Sequence, residues 1–166
     1  MQDGIFPMKY VGEPPVNSDL YKWNELALEA SRRAGRAWDN TLYYAEWMRE
    51  IGFQDVVEKN FYWPTSPWAK GNYFKQVAIY FQEDMLNGLE GISMKVLTGF
   101  MGWTAEEVQA LLVGVKRDFR DQSIHAYLRM WVILTQLQTS WLMSCVERWF
   151  MAGSPSQVLE GSVAAL

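Results

Sequence analysis

The chain has 166 residues, a formal net charge of −4, and 49% hydrophobic against 20% charged residues. That is enough chain to bury one core and too little for two, and the balance excludes a disordered or collagen-like polymer. Nine Trp, eight Tyr, eight Phe and nine Met stand against one His and one Cys, so neither a disulfide framework nor a Cys/His zinc site can be assembled. A pI of about 5.0 argues against a basic face that tracks phosphates, so nucleic acid is not an expected partner.

The chain opens with a short strand candidate, Gln2 to Phe6, followed by a loop marked by Gly12, Pro14 and Pro15. Asn17 or Ser18 caps a helix whose apolar face is Leu20, Trp23, Ala27 and Ala30, and Gly35 stops it. Arg32, Arg33 and Arg36 lie near its end, where cations favour the negative pole of the helix dipole. A second helix is expected from Asp39 or Asn40 to Ile51, and a strand from Asp55 to Trp63, ended by Pro64. Asn72 to Leu97 is a long amphipathic stretch that Gly88 and Gly91 are expected to break or bend. Thr104 with Glu107 forms a capping box that opens a helix towards Arg120. A last strand is read from His125 to Leu134, a helix from Leu137 to Met151, and a frayed end from Gly153 to Leu166.

The fold class is therefore α/β, mostly helical, with a sheet of two or three strands that looks like part of a larger one. Met1 to Tyr10 lacks the basic-then-apolar pattern of a signal peptide. Met130 to Val146 carries no charge, but Thr135, Gln136, Gln138, Thr139, Ser140 and Ser144 interrupt it, and it reads as strand plus helix rather than a membrane span. The cytosol is the expected compartment, with the nucleus as the alternative.

Chemical motifs are sparse. No G-x-G dinucleotide loop, P-loop, GxSxG elbow or HExxH occurs. Glu106 and Glu107 are explained by the helix cap, and Cys145 reads as an inert buried thiol, so no metal ligands are assigned. His125 is either a structural or surface residue or a general base at a strand end. Phe61, Tyr62 and Trp63 are either core packing or an aromatic wall for a small molecule.

Three groups of residues carry a resemblance: Ile5–Tyr10 with Asp19–Trp23; Gly52–Pro64 with Pro67–Lys70; and Gly88–Gly91 with Gly102–Trp103 and Leu112–Val115. Together they resemble the C-terminal half of fungal class I S-adenosylmethionine-dependent methyltransferases, the group of the LaeA-like regulators. The resemblance implies a Rossmann-like fold in which Gln2–Asp3 ends the fifth strand, Asp55–Trp63 is the sixth and His125–Leu134 is the antiparallel seventh. The helices between Asn72 and Arg120 would then cover the substrate side. Residues 1–135 would be a partial methyltransferase domain without its cofactor-binding half, and residues 136–166 an unmatched tail.

On that pattern Asp3, Tyr62, Trp63 and His125 share a pocket rim. His125 or Asp3 would act as an optional base, and Tyr62 and Trp63 as the substrate wall. The cofactor of the complete family is S-adenosylmethionine, which this stretch is not expected to bind tightly. The expected function is that of an enzyme fragment acting on a small molecule in secondary metabolism, inactive alone, with Met1 inside a strand suggesting a truncated product. The alternative is a non-enzymatic helical interaction module that self-associates through an exposed apolar edge.

Overall fold

The computed structural model describes residues 1–136. The helix read from Leu137 to Met151, the frayed end and the tail from 136 onward lie outside the described residues, apart from Gln136 itself. The elements, in order, are β1 (Gln2–Tyr10), α1 (Asp19–Arg33), a 3₁₀ turn (Asn40–Tyr43), α2 (Tyr44–Glu50), β2 (Gln54–Pro64), α3 (Asn72–Met101), α4 (Ala105–Arg120) and β3 (Ala126–Gln136).

Each boundary has a local cause. The Ser18 hydroxyl accepts from the Tyr21 N–H at 3.1 Å and starts α1. The Thr104 hydroxyl accepts from the Glu107 N–H at 3.2 Å, and the Glu107 carboxylate accepts from the Thr104 N–H at 2.8 Å, so the capping box forms as read. Gly102 ends α3 at φ 73°, and the Trp103 N–H reaches back to the Leu97 carbonyl at 3.3 Å. Glycines within α3 do not break it: the helix runs unbroken for 30 residues through Gly88 and Gly91. The second helix, expected in one piece, starts instead as a 3₁₀ turn before α2.

The sheet order is β1–β3–β2, and β3 is antiparallel to both neighbours. β1 and β2 thus run in the same direction, and both end beside the start of β3: Tyr10 faces Ala126, and Pro64 faces Tyr127. As the central strand, β3 buries both faces. Ala126, Leu128 and Met130 meet α1, α3 and α4, while Trp131 and Ile133 meet α2 through Ala45. Trp23 sits at the middle of the larger core and donates its indole N–H to the Ser93 hydroxyl at 2.8 Å.

β1 is longer than read, and its register shifts between Ile5 and Lys9, around Pro7, which has no N–H to give the ladder. Within that shift the Met8 N–H and C=O are taken by the Asn24 side chain at 2.9 and 3.1 Å. The Gly4 carbonyl accepts from the Thr41 hydroxyl at 3.4 Å. The exposed large apolar side chains of the sheet are Val57, Phe61 and Tyr62 on β2 and Leu134 on β3, with none along β1. Among the described residues no helix is long and apolar enough to cross a membrane.

Candidate functional site

A cleft of about 620 Å³ opens on the helix-covered face of the sheet. Its floor is Gly4 and Leu128, where a Cβ on Gly4 would come within 2.9 Å of the Leu128 side chain. Aromatic rings make the walls. Phe6 packs on Trp38 at 4.9 Å, and Trp63 meets Phe81 edge-on at 5.6 Å. The charged groups along it are Asp3, Arg36 and Asp84. One oxygen of Asp3 accepts from the Gly4 N–H at 2.8 Å, which fixes the carboxylate at the cleft mouth.

The four residues singled out from sequence do not converge. Asp3 and Trp63 both line this cleft. Tyr62, one position along an extended strand, points to the opposite face, where it meets Tyr127 edge-on at 5.7 Å. There it lines a separate groove of about 360 Å³ with Pro64, Trp68, Lys70 and Phe74. His125 is exposed and stacks on Trp68, ring centroids 4.8 Å apart. Trp68 is held in turn by its indole N–H on the Ala126 carbonyl at 3.0 Å.

The shared rim is therefore corrected. Asp3 lies at the start of β1, not at its end, because the strand continues to Tyr10. Its partner Trp131 is six residues along β3 from His125. At the rise of an extended strand that is about 20 Å. His125, just before β3, is at the carboxyl ends of the two parallel strands, and Asp3 is at the other end. A single reaction centre cannot use both.

Two charged residues in the cleft were missed as site residues. Arg36 was read only as a helix-end cation. Asp84 had a legible signal: it stands three residues after Phe81 and one before Met85, exposed at the edge of the apolar stripe of α3 rather than opposite it. Among the described residues its carboxylate makes neither an ion pair nor a hydrogen bond.

This is an α/β chain with an aromatic-walled cleft. It is 30% identical over 120 residues to the probable methyltransferase tdiE of Emericella nidulans, a match covering 72% of this chain and 38% of that protein. It is 27% identical over 125 residues to the methyltransferase pytC of Aspergillus terreus, covering 75% of this chain and 39% of that protein. It is also 28% identical over 121 residues to the secondary metabolism regulator laeA of Gibberella zeae, covering 72% of this chain and 38% of that protein. The chain is a relative of the LaeA-like fungal methyltransferase family. The match spans about two fifths of the length of these relatives. No family model matches the chain. No solved structure matches it.

The family implies S-adenosylmethionine, and the described residues do not fit it. A strand–turn–helix connection of the kind that holds such groups runs from β1 to α1. It contains Gly12, Pro14 and Pro15 but no G-x-G. The helix start is already filled: the Leu20 N–H donates to the Asp118 carboxylate at 3.1 Å and the Tyr21 N–H to Ser18.

Proposed function

We propose that residues 1–135 are the acceptor-binding portion of an S-adenosylmethionine-dependent methyltransferase of fungal secondary metabolism. In this reading the cleft beside Asp3 and Trp63 receives the small-molecule methyl acceptor. The observation that carries it is the cleft itself: a space of about 620 Å³ with aromatic walls and three charged side chains, in a chain related to methyltransferases. The direction of the strands supports it too, since β3 runs against β1 and β2, as the resemblance assigns to the seventh strand against the fifth and sixth.

Methyl transfer to a nucleophile requires above all that the acceptor atom be held in line and close. The chain contributes that positioning. Trp63, braced edge-on by Phe81, presents a rigid face on which a planar acceptor lies. Asp3, with one oxygen engaged by Gly4, keeps the other for a proton that the acceptor gives up. His125 has no part in this step, because it is at the far end of the sheet. Alone the chain is inactive, for want of a site that fits the methyl donor.

The test has two arms. Calorimetric titration of the 166-residue chain with S-adenosylmethionine is expected to show no binding, and micromolar binding would overturn the inactivity. Replacing the matching stretch of the tdiE relative with residues 1–136 of this chain is expected to give a protein that methylates an aromatic acceptor. Trp63→Ala in that chimera should lower kcat/KM about tenfold or more. A folded chimera that binds S-adenosylmethionine yet is indifferent to Trp63→Ala, measured by mass spectrometry of the product, would sink the assignment of the cleft.

A further inference from the structure

The cleft does not end at Asp84. A second cavity of about 400 Å³, lined by Tyr73, Val77 and Tyr80, shares Trp63, Phe81 and Asp84 with the first. Tyr73, Val77, Tyr80, Phe81 and Asp84 fall at helical spacing along one stripe of α3, so the two spaces form one trough along that helix. At its outer end Tyr73 and Tyr80 are 63% and 76% exposed, large rings left mostly open to solvent. Midway stands Asp84, an exposed carboxylate with no ion pair or hydrogen bond among the described residues, open to a ligand lying beside the Trp63–Phe81 pair.

The trough as a whole has the carboxylates of Asp3 and Asp84 against the single guanidinium of Arg36, which lines only the inner cavity. An anionic ring system placed across Trp63 would meet Asp84 and be repelled. A protonated amine there would gain a charge-assisted hydrogen bond and keep its rings on aromatic faces to either side. The inner space alone already falls within the range of pockets that hold drug-sized molecules, and the outer one extends it.

We infer that the trough takes an extended, multi-ring aromatic amine, with its protonated nitrogen at Asp84 and rings spanning from Trp63 to Tyr80. This rests on the reading of the cleft as the acceptor site and names the class of acceptor.

The experiment is equilibrium dialysis of the full 166-residue chain against three probes: proflavine, a three-ring aromatic cation; anthracene-2-carboxylate, a three-ring anion; and benzylamine, a one-ring cation. Proflavine should bind at least about tenfold more tightly than either of the others. Asp84→Asn should weaken proflavine about tenfold and leave anthracene-2-carboxylate unchanged or tighter. Tyr80→Ala, on an exposed helix face, should weaken proflavine about fivefold or more and barely affect benzylamine. Lys70→Ala, in the separate groove, should change nothing. Equal binding of the anion, or proflavine affinity indifferent to Asp84→Asn in a chain whose circular dichroism is unchanged, overturns the inference. No methyl transfer is read in this assay, so its failure leaves the chimera result standing, and a failed chimera leaves the dialysis result standing.

Discussion

Tyr10 shows what one residue does at the end of β1. Its ring packs against Tyr21 at 6.0 Å, and its hydroxyl is buried with no hydrogen-bond partner among the described residues. Burial first, then the charges of Glu25 and Asp118 and the neighbouring Tyr21 phenol, hold its ionisation well above the ordinary tyrosine range. A group whose pKa is raised on folding contributes stability that is present below its unfolded pKa, ~10 for tyrosine, and lost as pH rises beyond it. Alkaline denaturation should therefore steepen above about pH 10. Tyr10→Phe should flatten that limb and, by removing an unpartnered buried hydroxyl, raise stability at neutral pH by about 1 kcal/mol. Urea titrations of both proteins between neutral and alkaline pH check it, and a Tyr10→Phe protein less stable at neutral pH would show that the hydroxyl has a partner.

At the scale of elements, α1 and α4 are in close contact at Gly114, where a Cβ would fall on the Asp19 carboxylate. That close contact lets Asp118 reach the Leu20 N–H and Arg117 reach Asp19 at 3.2 Å. Gly114→Ala gains about 1 kcal/mol of helix propensity and loses more to overpacking, so net destabilisation of about 1–2 kcal/mol is expected by chemical denaturation. Adding Asp19→Ala should return most of that loss, because the clash is with that side chain. Local signals predicted most elements because caps and periodicity act within a few residues: Ser18 and the Thr104–Glu107 box act where the sequence places them, while the last turn of α3, up to Gly102, lies beyond the Leu97 read as its end. The 3₁₀ start of α2 and the length of β1 were not legible. No local signal marks the first, and the second depends on pairing with β3, more than a hundred residues away.

At the scale of the whole molecule, β2 is an edge strand with no partner on its outer side among the described residues. It leaves Val57, Phe61 and Tyr62 exposed at 49%, 43% and 52%. Such an edge invites pairing with a second chain, and Lys59 is the one cation set among those residues. Self-association is expected to run through β2 rather than β1, where side chains already hold the Gly4 carbonyl and both Met8 backbone groups. Sedimentation velocity should show concentration-dependent association that Phe61→Lys reduces at least several-fold. An unchanged profile would place any association elsewhere.

Periodicity and caps were enough to state the class and the order of helices and strands, because these follow from contacts within a few residues. Which candidates share a site was not theirs to give. Trp63 and Tyr62 are neighbours in sequence, yet the pleat of the strand turns them to opposite faces, one into the cleft and one into a separate groove. Asp3 and Asp84, 81 positions apart, line one cleft because α3 packs on the sheet beside β2, on the face where Gly4 and Leu128 lie. Asp3 and His125, read as alternatives for one role, were parted by the register of β1 on β3. Register is set by packing across the whole sheet, and no local run of residues encodes it.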